Sequence, residues 1–381
     1  MVNLRAAIVG CGRIAAADHA AAHTADPRVN LAVVVDPDHD RARAMARRFG
    51  VREVFTSLEE MLATTDVDLV SVCAPPHLHA PLAVTALQAG CHVLCEPPAA
   101  TSAADVTRMA AVAAAERRVL TFGFHLRHLT EARTARGIVD AGEIGEIHDV
   151  QLTATARRDT FDRPRAGRGD GPLTDIGIHL LDLAMWLTGF PEAVETLRVP
   201  HDRTLGRGQR PEGEVGRAEE NPAQVVKRAF RPARGTSRAE DTATGLVRHR
   251  DGMSLSITTS YAARSAHEET VRVRLLGDNG DLEISPLPPS HPNPLAPGHS
   301  RPAPPGKAWD QQLAHRRQIA AFVDACLGRG PVPVTPAEAI HVQEIVDRLH
   351  RSAHGTVLER SDPRGAAPAA VDDLVQEASR A

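Results

Sequence analysis

The sequence predicts an α/β protein, with an N-terminal parallel sheet followed by an α+β domain built on a large, mainly antiparallel sheet. Three observations carry this. Short, uniformly apolar runs alternate with helical segments up to Gly123, the signature of a parallel sheet covered on both faces. Beyond Gly123 the runs change to alternating apolar and polar residues, as in Gly145–Ala156. At 381 residues the chain is too long for one compact core and suits two domains.

The elements follow in order. Leu4–Val9 reads as a buried strand ending at Gly10, and Ile14–His23 as a helix. Leu31–Val35 is a second strand, closed by Asp36. The helix over Asp38–Phe49 takes Asp38 as its cap and stops at Gly50. Val67–Cys73 is a strand before Pro75-Pro76, His79–Ala89 a helix, and His92–Cys95 a strand. Ser102 caps a helix to Arg117, and Val119–Phe122 completes the sheet. A helix over Glu131–Ala141 opens the second part. Thr242–Arg248, Ser254–Tyr261, Thr270–Leu276 and Asp281–Ile284 are its further strands, turned at Arg250-Asp251-Gly252 and Asp278-Asn279-Gly280. Arg198–Gly235 and the proline-rich Pro286–Gly306 read as loops, and Gln311–Leu327 and Pro336–Ser352 as helices. The expected domains are 1–123, 124–361 and a tail at 362–381.

Composition narrows the function. The net charge of −4 and an aromatic content of 3% argue against nucleic acid or an anionic membrane as partner. No apolar run is long enough to span a bilayer, and the chain enters a strand at once without a charged-then-apolar leader, so a cytoplasmic protein is expected. Five cysteines, few and odd in number, do not suggest a disulfide framework, and no His, Cys and carboxylate cluster has metal spacing. All but two of the 44 basic residues are arginine; the lysines are Lys227 and Lys307.

The turn after the first strand is Gly10-Cys11-Gly12-Arg13-Ile14-Ala15, a G-x-G-x-x-A pattern between strand and helix, where a dinucleotide fingerprint belongs. The first glycine permits the turn, the second admits a pyrophosphate, and the small third residue lets helix and strand pack. Gly10, Gly12, Arg13 and Ile14 are therefore candidate cofactor residues. Asp36, at the end of the next strand, would accept hydrogen bonds from a ribose diol and repel a 2′-phosphate, so NAD is favoured over NADP. Arg41, one helical turn on, works against that preference.

The chain resembles the Gfo/Idh/MocA family of oxidoreductases. The resemblance rests on Gly10–Ala15 with His19, Cys73-Ala74-Pro75-Pro76-His77-Leu78-His79, Ala89–Pro97, Gly123-Phe124-His125-Leu126-Arg127, Ile144–Ile147, Asp175–Asp182, Glu240–Ala243 and Leu276–Gly280. It implies a Rossmann domain and an α+β domain. It also implies NAD(P)-dependent oxidation or reduction of a sugar, aminosugar or cyclitol, and homo-oligomers packed through the large sheet. It extends the cofactor candidates to Ala74, Pro75, His79, Glu96 and Pro97.

Such members usually carry a Glu-Lys-Pro motif whose lysine holds the substrate hydroxyl, working with a histidine from an Asp-x-x-x-His motif. Asp175 and His179 keep the second motif. Four apart, they share one face of a helix, and an imidazole, which ordinarily titrates near neutral pH, makes His179 the acid/base candidate. The first motif is altered to Glu96-Pro97-Pro98, and proline supplies neither charge nor donor. Three readings stand: His179 acts with help from Arg127 or another side chain, a distant group replaces the lysine, or NAD serves a redox-neutral or lost reaction. Arg127, His125 and Arg157 are candidate substrate residues; a solvated face is the plain alternative for the arginines.

Overall fold

The computed structural model describes residues 3–156, 171–201, 241–261, 269–285, 300–302, 310–352 and 359–360. Arg157, Lys227 and Lys307 lie outside them, as does the expected tail at 362–381.

The first sheet contains β1 (Leu4–Val9), β2 (Val29–Val35), β3 (Glu53–Phe55), β4 (Leu69–Val72), β5 (His92–Cys95) and β6 (Leu120–Phe122). All pair in parallel, in the order β3-β2-β1-β4-β5-β6. β1 shows why the runs had to be apolar throughout. Ala7 and Val9 join one core cluster, and Ala6 and Ile8 join another on the opposite face. The order reverses between β1 and β4, so their carboxyl ends open a crevice at Gly10 and Cys73.

The connecting helices start on readable signals. Asp38 accepts from Arg41 N–H at the head of α2 (His39–Phe49), and Gly50 closes it at φ 70°. Ser57 caps α3 (Leu58–Thr64) and Ser102 caps α5 (Ala103–Ala115); Pro76 opens α4 (Pro76–Gln88). The first helix differs from expectation. It begins as a π turn over Ala15–His19 before continuing as α1 (Ala20–Ala25). β3 and α3 were not anticipated.

After a 3₁₀ turn (His125–His128) and α6 (Thr130–Asp140) comes the second sheet. Its strands are β7 (Ile147–Ala156), β8 (Ala193–His201), β9 (Thr242–His249), β10 (Ser254–Ser260), β11 (Glu269–Gly277), β12 (Gly280–Ile284), β13 (Ser300–Pro302) and, late in the chain, β14 (Glu359–Arg360). They run β13-β12-β11-β7-β10-β9-β8-β14. Most pairs are antiparallel, with β7–β10 and β12–β13 parallel. Two expected loops are partly strand: 198–201 belongs to β8, and 300–302 is β13. Val150, Leu152 and Ala154 of β7 point into the core, while Gln151 faces out.

A second π turn, Leu173–Gly177, leads into α7 (Ile178–Thr188), which is buried along most of its length. The last helices, α8 (Gln311–Cys326) and α9 (Pro336–Ser352), return to the first sheet. Ile319, Phe322 and Val323 join the core cluster that holds Ala6 and Ile8. Thr121 exchanges hydrogen bonds with Val334, and Asp347 accepts from Ala103 N–H. Among the described residues no helix is long and apolar enough to cross a membrane.

Candidate active site

Gly10 sits at φ +93°, and a Cβ there would lie 2.6 Å from the Cys73 carbonyl oxygen, so β1 and β4 meet only because position 10 has no side chain. A Cβ on Gly12 would meet nothing within 4 Å. That open ground, beside the start of the first helix, is where a pyrophosphate would lie. Arg13 is exposed and Ile14 half-buried in the same turn.

Asp36 is 5% exposed; its carboxylate accepts Cys11 N–H and Asp38 N–H, each at 2.8 Å. These bonds fix the carboxylate at the end of β2, one strand over from the glycine turn, where an adenosine ribose is read. Arg41 comes within 3.9 Å of it and also bonds Asp38. The residues present therefore fit an NAD-type dinucleotide. Ala74 and Pro75 form the rim after β4, half-buried and exposed. His79 lies deeper, 1% exposed, its ring nitrogens 2.6 Å from the Ala74 carbonyl and 2.8 Å from that of Pro98. It braces the two turns flanking the crevice.

Glu96 and Pro97 follow β5 and are both buried. Glu96 Oε1 is 2.8 Å from Nε2 of His19, which the π turn carries inward. Burial alone would lower the His19 pKa, but Cys73 and Glu96 beside it reverse this and hold it well above the usual histidine value. Burial likewise pushes the Cys73 thiol up, so that group stays neutral and Glu96 supplies the opposing charge. Glu96 in turn, raised by burial, is drawn below the usual carboxylate range by His19. Both directions agree on a buried ion pair at neutral pH. Next to it, a Cβ on Gly123 would fall 2.1 Å from Glu96 Oε1 and 3.2 Å from Pro97 Cδ, so the end of β6 is pressed against the altered motif.

The second motif lies across two kinds of helix. Asp175 is in the π turn and His179 in the first turn of α7, both half-buried. The i→i+5 bonding of a π turn changes the angular offset that a four-residue spacing has in an α-helix. The Tyr261 hydroxyl donates to Asp175 Oδ2 at 2.7 Å. The His179 ring meets Phe124 edge-on at 6.1 Å and His125 at 5.2 Å.

His125 stacks on His315 at 4.2 Å with 18° between the planes, and its Nε2 lies 3.0 Å from Gln311 Oε1. His315 stands 6.2 Å from His19. Four imidazoles therefore run from Glu96 to α7. His315, Gln311 and Tyr261 were not singled out in the sequence. Gln311 and His315 are four apart on α8, but nothing in that spacing says which surface the helix covers.

Arg127 has a different setting from the expected substrate contact. It is 4% exposed, and its guanidinium donates to both Asp182 oxygens, at 2.8 and 2.6 Å, and to Glu338 at 3.1 Å. Its donors hold the 3₁₀ turn, α7 and α9 together. Among the described residues no group of three His, Cys, Asp or Glu side chains could hold a metal ion.

Comparison with known proteins agrees with this architecture. A family model described as the oxidoreductase family, NAD-binding Rossmann fold, matches residues 4–124, and the GFO/IDH/MocA C-terminal domain matches 132–283. D-glucoside 3-dehydrogenase of Escherichia coli (strain K12) is 31% identical over 365 residues, covering 93% of this chain and 97% of that protein. A dTDP-3,4-didehydro-2,6-dideoxy-alpha-D-glucose 3-reductase of Streptomyces violaceoruber is 34% identical over 205 residues, 53% of this chain and 60% of the other. The crystal structure of an oxidoreductase domain protein from Kribbella flavida superposes with a TM-score of 0.76 at 25% identity, covering 94% of this chain and 99% of that one. The chain therefore belongs to the Gfo/Idh/MocA oxidoreductase family, with an NAD-binding Rossmann fold in its N-terminal part.

Proposed function

We propose that the protein transfers hydride between NAD and a secondary alcohol or ketone of a sugar, aminosugar or cyclitol, with His179 as the acid/base residue. The observation that carries this is the meeting of His179 with the segment after β6, through its edge contacts with Phe124 and His125. NAD, when bound, supplies the hydride acceptor or donor. His179 takes the hydroxyl proton during oxidation and returns it during reduction. Asp175, steadied by Tyr261, orients substrate hydroxyls. Asp36 selects NAD through the ribose diol.

The similar proteins from Escherichia coli and Streptomyces violaceoruber are both named for position 3 of a glucose-type ring, which makes that carbon the first to assay. Purified protein with NAD and a panel of glucosides, aminosugars and inositols should develop the absorbance of reduced nicotinamide. His179→Ala should lower turnover by about 10²–10⁴-fold, and unaltered turnover would remove the assignment.

Pro97 favours a second reading, in which the bound cofactor serves a redox-neutral reaction or catalysis is lost. Pro97→Lys separates the two. A large gain of dehydrogenase activity marks a site that has lost its partner, whereas product formation with no net change in cofactor redox state marks redox-neutral chemistry. A homo-oligomer is also proposed. The outer face of the second sheet carries exposed Thr244, Leu246 and Arg248, with Leu246 50% exposed.

A further inference from the structure

Pro97 leaves the acid/base histidine without the side chain that normally stands beside it, and the structure shows what lies there instead. The Cβ that Gly123 lacks would fall against Glu96 and Pro97, so the chain two residues before His125 abuts the altered motif. The His125 ring leaves from this spot and meets His179 at 5.2 Å and 62°. Behind His125 lies His315, stacked at 4.2 Å, and Gln311 Oε1 is 3.0 Å from His125 Nε2. With that oxygen as acceptor, Nε2 carries the proton. His315 is itself fixed, since its Nδ1 lies 2.8 Å from the Gln311 carbonyl and must donate to it. One turn of α8 thus supplies a stacking surface and a hydrogen bond to the same ring.

We propose that His125, backed by His315 and Gln311, is the positioning residue for His179, in place of the side chain that Pro97 lacks. This rests on the reading of His179 as the acid/base group. Proton transfer demands a ring placed to a fraction of an ångström. Phe124 and His125 press on the His179 ring edge-on, at 78° and 62°, and the stack keeps His125 from turning away. The support is uncharged. Burial first, then the neighbouring His315 and His179, push His125 well below its ordinary pKa, against the opposing pull of Gln311 and the Gly123 carbonyl. A lysine ammonium would repel a proton arriving on His179, and a neutral imidazole does not. The arrangement therefore holds the ring while leaving it free to accept charge.

The test is steady-state kinetics from pH 5 to 9 on wild type, His125→Asn, Gln311→Leu and His179→Ala, with NAD affinity read by nucleotide fluorescence. Gln311 is exposed, so Gln311→Leu removes the hydrogen bond without opening the core. Both support variants should lose about tenfold in kcat while KM and NAD affinity stay within about twofold. The acid limb of the kcat profile should move to higher pH in both, because water reaching a loosened His179 favours its charged form. Unchanged kcat and acid limb in both, beside an inactive His179→Ala, would overturn the positioning role alone. A fall in kcat with an unmoved acid limb would also overturn it, as general loosening. Full turnover in His179→Ala removes the underlying reading and the proposal with it.

Discussion

Gly10 and Gly12 stand two residues apart and do different work. At Gly10 a side chain would be strained at φ +93° and would collide with the Cys73 carbonyl, so Gly10→Ala attacks the fold. At Gly12 a methyl group meets nothing in the protein, so Gly12→Ala should leave thermal stability unchanged and fill the space for the pyrophosphate. We expect Gly12→Ala to weaken NAD at least about tenfold with a melting temperature within about 2 °C of wild type, and Gly10→Ala to lower that temperature by several degrees. Calorimetry and nucleotide titration check both; a Gly12→Ala protein that binds NAD normally would move the cofactor away from this turn. The turn at Gly10 was legible because backbone chemistry fixes it locally. His315 was not, since its partners His125 and Asp18 lie far from it in sequence. Arg127 shows the opposite failure: the motif drew attention to it as a substrate contact, and only packing reveals the carboxylates that occupy it.

At the scale of elements, the buried Arg127–Asp182 pair ties the 3₁₀ turn to α7, and Glu338 adds α9. Asp182 is fully buried, so removing the arginine leaves a carboxylate with its counter-charge gone. Arg127→Leu should cost about 3–5 kcal/mol of unfolding free energy, and Arg127→Leu with Asp182→Leu should recover much of it. Denaturant titration decides the point: a loss below about 1 kcal/mol, with a raised KM, would return Arg127 to the substrate. Elements with one chemical character were readable, such as the apolar strands β1, β2, β4, β5 and β6 and the helices α2 and α5 with their Asp38 and Ser102 caps. β8 hid because Thr196 and Arg198 face inward although polar, which breaks the apolar alternation. The two π turns hid because the extra residue in each changes register without changing composition. Both carry residues of the candidate site, His19 in one and Asp175 in the other.

In the whole molecule, α8 and α9 close over the first sheet, and the candidate site forms where segments distant in sequence meet. The parallel first sheet followed from the alternation of elements. The meeting of His19, His125, His179 and His315 did not, because it depends on α8 returning so that Gln311 bonds His125, 186 residues before it. This convergence loads the interior with histidine and sets the response to acid. Burial lowers His23 to about 3, and His128, lowered by burial and then Arg127, to about 4; His125, His249, His315 and His341 move down as well, burial being the largest cause in each. A histidine whose pKa is lower in the folded state binds fewer protons there than when unfolded. Stability from such groups is therefore fully present above the ordinary value near 6.5 and is lost as pH falls toward the folded value. His23, which pairs with Ser71 Oγ at 2.8 Å, alone accounts for ~2 kcal/mol of loss at pH 5. His19, whose pKa is raised, acts in the opposite sense but is one group among many. Unfolding free energy should thus fall steeply between pH 7 and pH 5, before most carboxylates titrate. His23→Gln, which keeps a polar partner for Ser71, should lose about 2 kcal/mol less over that interval than wild type, whatever its stability at pH 7. Urea titrations of both proteins at the two pH values measure the difference directly, and parallel losses would show that the buried histidines do not set the acid limit of this fold.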